Sequence, residues 1–137
     1  MQSFKLIRLL TLLGVAGLGF VIAASAQEHT KDSLDTVKKA LAAKKAILID
    51  VREKSEWDEG HLKGAKWLPL SNLEGDQLPK DLAKILSKDK VAYLHCAAGK
   101  RCLKAAAILR EQGYDVRPLK DGYKSLLKNG FPKSEEK

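Results

Sequence analysis

Apolar residues along this chain recur in two alternating patterns. Leu34, Val37, Ala40 and Leu41 fall at helical spacing with lysines opposite them, and Asp32 or Ser33 stands in front as an N-cap, so a helix is predicted there. Ala46-Ile47-Leu48-Ile49 is a continuous apolar run ending at Asp50, the pattern of a strand buried on both faces. Residues 52–66 are polar and contain Gly60 and Gly64, which reads as turns, and residues 67–70 form a second short apolar stretch. A second helix is predicted over 78–86, entered near Pro79 and Asp81. Val91-Ala92-Tyr93-Leu94 predicts another strand, running into His95-Cys96. An alanine-rich helix follows over 101–112 and stops at Gly113. A last strand over 116–119 leads to a last helix over 122–129, closed by Gly130 and Pro132.

Strands and helices therefore alternate, without internal repeat or low-complexity stretch. That order predicts an α/β fold with a central, mostly parallel sheet flanked by helices on both faces. In such sheets the reactive crevice lies at the carboxyl ends of the strands. The rule selects two places in this chain, Asp50-Val51-Arg52 and the segment 95–102.

The chain has 137 residues, enough for one domain, and its 45% hydrophobic content exceeds that of a disordered tail. Its N-terminus stands apart. Lys5 and Arg8 precede an uncharged apolar run over 9–24, and Ala24-Ser25-Ala26 offers small residues where a signal peptidase reads. The run is shorter than the ~20 residues a membrane span takes, and Gly14, Gly17 and Gly19 interrupt it. A cleaved signal peptide over 1–26 is expected ahead of a retained anchor, with a periplasmic or secreted product and no stable membrane insertion. Two of the positive charges behind the formal net charge of +8 belong to that signal. The remaining lysines are scattered, with no aromatic-interleaved patch, which excludes a nucleic-acid surface from the leading readings.

Two cysteines, Cys96 and Cys102, cannot make a disulfide framework or a four-cysteine metal site. In an oxidising compartment they could pair, but a bridge six residues long removes little unfolded-state entropy. Local chemistry is the better account. The loop His95-Cys96-Ala97-Ala98-Gly99-Lys100-Arg101-Cys102 joins a predicted strand to a predicted helix. Such a turn aims several backbone N–H groups into one concavity, at the positive end of the helix. Lys100, Arg101 and Lys104 add cations. All of these favour the thiolate of Cys96, and the same concavity suits an anionic substrate. Nucleophilic attack by Cys96 on an anionic, electrophilic centre is the reaction implied.

At this point the residues carry a resemblance. Cys96 to Arg101 fits C-x-x-G-x-R and resembles the active-site loop of single-domain rhodaneses, the thiosulfate sulfurtransferases. Asp50-Val51-Arg52, Glu56-Trp57, Gly60-His61-Leu62 and Gly64-Ala65 resemble the first signature of that family, and Leu68-Pro69 the segment after it. Gly122-Tyr123 and Gly130-Phe131-Pro132 resemble its closing pattern. The resemblance is to the exported, periplasmic type and runs over most of the chain after the signal. The chain is accordingly divided into a polar lead-in over 27–32, a rhodanese-like domain over 33–133 and a charged tail over 134–137. Two departures stand out: Cys102 replaces the usual Ser or Thr, and Asp121-Gly122 with Leu126 replaces a Gly pair and a Trp.

What the resemblance implies is a Cys96 thiolate that attacks the outer sulfur of thiosulfate or a similar anionic donor, keeps it as a persulfide, and yields it to cyanide or a thiol. Ala97, Ala98, Gly99, Lys100 and Arg101 would form the persulfide-binding loop, with Asp50 and Arg52 as braces. No metal or cofactor is implied, and a monomer is expected. Arg101 either meets the substrate or braces the loop by pairing with Asp50; bracing is placed first. Cys102 is expected to be a small packing residue in the helix's first turn, with a resolving thiol as the second reading. His61 is assigned a structural place, His95 is expected to point away from the pocket, and Trp57 is read as a packing anchor. The competing functions are phosphatase or arsenate-reductase chemistry on a related loop, and a non-catalytic thiol redox or binding module.

Overall fold

The computed structural model describes residues 27–136; the expected signal segment lies outside them. Four strands, β1 (Ala46–Asp50), β2 (Lys66–Trp67), β3 (Val91–His95) and β4 (Val116–Pro118), form one sheet in the order β2-β1-β3-β4. All three pairings are parallel. Parallel pairing puts every strand's carboxyl end on the same edge, and the register sets Asp50 beside His95 there. Among the described residues no helix is long and apolar enough to cross a membrane.

The uninterrupted apolar runs of β1 and β3 are explained by burial on both sides. Successive side chains face opposite ways, so Ile49 and Leu94 enter one core with Leu70, Leu82 and Leu109, while Leu48 and Tyr93 enter another with Val37 and Leu126. The first core lies under α3 (Leu70–Leu73), α4 (Leu82–Ile85) and α5 (Arg101–Glu111); the second lies under α1 (Leu34–Ala42) and α6 (Tyr123–Lys128). Leu126, where the family resemblance leads one to look for Trp, is fully buried in this second core.

α1 begins where its pattern predicts: the Ser33 hydroxyl accepts from the Thr36 N–H. Elsewhere the elements differ from expectation. The segment over 52–66 is not only turns, because α2 (Lys54–Glu59) folds within it. A capping box holds α2, with the Glu53 N–H donating to the Glu56 carboxylate at 3.1 Å. The helix expected over 78–86 contracts to the single turn of α4. Leu82 on α4 and Leu86 at its C-cap are buried one turn apart, and so short a helix persists only through that packing. The apolar stretch over 67–70 is divided: Trp67 ends β2, backbone bonds from Leu68 and Leu70 to Asp50 and Val51 extend the ladder, and Pro69 caps α3, which begins at Leu70.

Candidate active site

β3 delivers Cys96 to the carboxyl edge of the sheet, and the chain must then turn at once into α5. Gly99 makes the turn with φ +83°, a conformation that favours glycine. Its N–H points back at the nucleophile and donates to Cys96 Sγ at 3.1 Å. Cys96 is almost fully buried, which by itself would raise a thiol pKa. The outcome is the reverse: the thiol is held down to about 5, first by a hydrogen bond from the Cys102 side chain and then by backbone N–H groups of Cys102, Ala98 and Gly99. Of the influences expected from the sequence, the hydrogen bonds account for the thiolate, and the cations do not figure among its main causes. Lys100 and Lys104 are exposed. Arg101 has its charge occupied elsewhere.

That engagement corrects one expectation. Arg101 does not pair with Asp50. Its Nη1 and Nη2 donate to Glu56 Oε2 and Oε1 at 2.6 and 2.7 Å, a bidentate pair that drags the Glu56 carboxyl down to about 2. Asp50 is unavailable because Arg52, two residues on, fills it through Nε and Nη2 at 2.7 to 3.0 Å. Arg52 also donates to the Gly60 carbonyl at 2.8 Å and lies 4.0 Å under the Tyr123 ring. Tyr123 in turn donates its N–H to the Cys96 carbonyl at 2.9 Å. The Asp50–Arg52 pair, fully buried with these further bonds, thus braces the loop at one remove, and Glu56 on α2 braces it directly.

Cys102 sits in the first turn of α5, fully buried. Its Sγ lies 3.2 Å from the Gly99 carbonyl and 3.3 Å from that of Leu119. One S–H proton serves one acceptor at a time, and an ionised Cys96 is the strongest of the three on offer. Bonding to Cys96 and burial push the Cys102 thiol far above the ordinary thiol range. Both cysteines are free. Such a thiol is a hydrogen-bond donor and a poor nucleophile, which favours packing and donation over the resolving role. Cys102→Ala is accordingly expected to raise the pH midpoint of Cys96 alkylation by about one to two units, the worth of a hydrogen bond to a charged group. Cys102→Ser, which keeps a donor, should restore it; an unchanged midpoint in Cys102→Ala would remove this role.

The remaining residues take structural places. His95 is fully buried with Asp50 Oδ2 at 3.7 Å and the Tyr123 ring at 6.5 Å, and neither ring nitrogen has a hydrogen-bond partner among the described residues. Burial lowers its pKa and keeps it neutral. His61 Nδ1 donates to the Trp57 carbonyl at 3.2 Å, and the two rings stack at 3.6 Å, so Trp57 packs as expected. Among the described residues no three His, Cys, Asp or Glu side chains gather as a metal site. Beside the loop, a cleft of about 560 Å³ is bordered by Ala97, Tyr123, Glu56, Glu59, Lys124 and Lys133. Sequence reasoning placed Glu56 and Gly122 in the family signatures but gave neither a role: Glu56 stands three residues after Glu53, the available sign of a helix start, and Gly122 acts purely through space.

The comparisons with known proteins bear on family and fold. The rhodanese-like domain family model matches residues 33–129. Over 82 residues the chain is 40% identical to the Bacillus subtilis uncharacterized protein YqhL, an alignment covering 59% of this chain and 60% of that protein. Over 117 residues it is 34% identical to the probable adenylyltransferase/sulfurtransferase MoeZ of Mycobacterium tuberculosis, covering 82% of this chain and 29% of MoeZ. The chain thus spans less than two thirds of either relative. In structure it is similar to the human single-domain sulfurtransferase TSTD1, with TM-score 0.62 and 29% identity over 71% of this chain and 94% of that one. A rhodanese-related protein from Thermoplasma volcanium gives TM-score 0.60 and 26% identity over 74% and 94% of the two chains. A family match over well more than half the chain, with rhodanese-related and sulfurtransferase structures similar to it in fold, has one meaning: the chain belongs to the rhodanese-like domain family.

Proposed function

We propose that this chain is an exported sulfurtransferase that carries a sulfane sulfur on Cys96. The observation that carries the reading is the Cys96 thiolate, held down to about 5 at a strand end by hydrogen bonds from the loop. The thiolate attacks the outer sulfur of thiosulfate; the S–S bond of the donor breaks, sulfite leaves with the electron pair, and Cys96 keeps a persulfide. Loop N–H groups that hold one negative sulfur are placed to hold the next, as an oxyanion hole does. Cyanide or a thiolate then attacks the terminal sulfur and returns Cys96 to its thiolate, so charge balances in both steps. The cleft beside Ala97 offers room for an acceptor, with Lys124 and Lys133 and also Glu59 on its border.

A phosphatase or arsenate-reductase reaction is the nearest rival. Chemistry on a tetrahedral oxyanion asks for a wider loop and an arginine free to meet its oxygens. Here four residues separate Cys96 from Arg101, and the terminal Nη1/Nη2 edge of Arg101 is committed to Glu56. The test is mass spectrometry of the reduced protein after thiosulfate. A gain of about 32 Da, the mass of one sulfur, on the peptide containing Cys96 is expected, reversed by cyanide. No adduct, together with hydrolysis of p-nitrophenyl phosphate, would replace this reading with the phosphatase; no adduct and no hydrolysis would leave a binding module.

A further inference from the structure

Residues 27–32 precede the segment that the family model matches, yet they reach the catalytic loop. The Thr30 N–H donates to the Pro118 carbonyl at 2.8 Å, at the end of β4. The Asp32 carboxylate accepts from the Tyr93 hydroxyl at 2.7 Å and from Arg117 Nη1 at 2.9 Å. Those anchors, on β3 and β4, lay the lead-in along the sheet and set His29 against the loop. Its Nε2 is 2.7 Å from the Gly99 carbonyl oxygen, a partner 70 positions away in sequence. A carbonyl only accepts, so Nε2 carries the hydrogen in this bond. The neutral Nε2–H tautomer and the imidazolium both satisfy it.

Gly99 is the hinge of the site. Its N–H donates to Cys96 Sγ at 3.1 Å, while its carbonyl faces His29 at 2.7 Å and Cys102 Sγ at 3.2 Å. A glycine at φ +83° has wide conformational freedom, so the orientation of its peptide groups must be imposed from outside. The bond from His29 imposes it on the carbonyl side. The same carbonyl, with its two lone pairs, also accepts from Cys102 Sγ, so His29 and the first turn of α5 hold it together.

From this juxtaposition we infer that His29 is a positioning residue for sulfur transfer: through the Gly99 carbonyl it holds the loop in the form that binds and stabilises the Cys96 sulfur. The lead-in is thereby part of the active site. The inference rests on Cys96 being the reacting thiol, as proposed above, and adds a residue that acts on it without touching the substrate.

The experiment compares the full chain with His29→Ala and His29→Gln, the latter retaining an N–H donor. Two readouts are taken: the pH midpoint of Cys96 alkylation by iodoacetamide, and the single-turnover rate of persulfide formation from thiosulfate. Thermal midpoints are recorded alongside. His29→Ala is expected to raise the alkylation midpoint and to slow persulfide formation about fivefold, the worth of one ordinary hydrogen bond, with His29→Gln recovering most of both. Wild-type values in His29→Ala would overturn the inference. So would equal losses in both variants, or a loss that merely follows the unfolded fraction. If the wild-type chain forms no persulfide at all, sulfur transfer fails as a function, while the alkylation midpoints still decide whether His29 acts on the thiol.

Discussion

Cys96→Ser is expected to reduce thiosulfate:cyanide transfer by on the order of a thousandfold or more, down to the background of the buffer. The site does one demanding thing, which is to present a sulfur anion in a nearly sealed position. Hydrogen bonds from Cys102 and the loop N–H groups bring a thiol down to about 5, but a hydroxyl starts far higher and stays protonated in the same setting. The variant should still fold, because Ser is smaller than Cys and can accept from the Gly99 N–H in its place. Its stability should respond differently to pH. In the wild type the folded pKa lies below the unfolded one, so this group's contribution is complete above the ordinary thiol range and is lost as pH falls through about 5. Cys102, shifted upward, opposes this only above the ordinary thiol range, where the unfolded chain ionises first. Denaturant midpoints from pH 8 to pH 5 should therefore fall more steeply in the wild type than in Cys96→Ser, at roughly one proton's slope. Sulfur transfer surviving in Cys96→Ser would remove Cys96 as the nucleophile.

The parts of this molecule that could be read from the sequence are those set by local pattern. The apolar runs at Ala46–Asp50 and Val91–His95 announce strands buried on both faces, and Ser33 and Gly113 mark helix ends because capping and positive φ are local demands. Cys96 could be found because a glycine-bearing loop between a strand and a helix has a chemical meaning wherever it occurs. What escaped was decided at long range. α2 has no apolar stripe, and no residue of it is fully buried; it stands through its capping box and through the Glu56 grip on Arg101, a bond across 45 positions. Arg101 was assigned to Asp50 because both lie at neighbouring strand ends, but an arginine two residues away on its own chain closes that carboxylate first. Nothing in Glu28-His29-Thr30 marks a contact with Gly99, since only the folded edge of β4 brings the two together.

Gly122→Ala is the second change from which a large effect is expected, and its cause differs from that of the usual glycine substitution. Gly122 has φ −84°, which any residue adopts, so no backbone strain protects the position. The restriction is space: a Cβ there would fall 1.8 Å from the Ala97 carbonyl oxygen, 2.5 Å from its carbon and 3.1 Å from the Ala98 nitrogen. Those are backbone atoms of the persulfide loop, and no rotamer change relieves the overlap. Either α6 withdraws, breaking the bond from Tyr123 to the Cys96 carbonyl and lifting the Tyr123 ring off Arg52, or the loop itself moves. Both displace the N–H groups that hold the sulfur by about an ångström, a misplacement that costs about a hundredfold in rate, while the overpacking costs about 1–3 kcal/mol in stability. Two other glycines separate the causes. Gly75 has neither positive φ nor a close neighbour, so Gly75→Ala should leave both properties intact. Gly64 lies at φ +76° with nothing within 4 Å of its would-be Cβ, so Gly64→Ala should lose about 1 kcal/mol to strain and keep wild-type kinetics. Gly122→Ala alone should lose activity beyond what its folded fraction explains. The same contact accounts for the departure at the preceding position: Asp121 is free to replace glycine because its carboxylate turns along α6 to accept from Ser125 Oγ at 2.6 Å, whereas the residue facing the loop has no room to change.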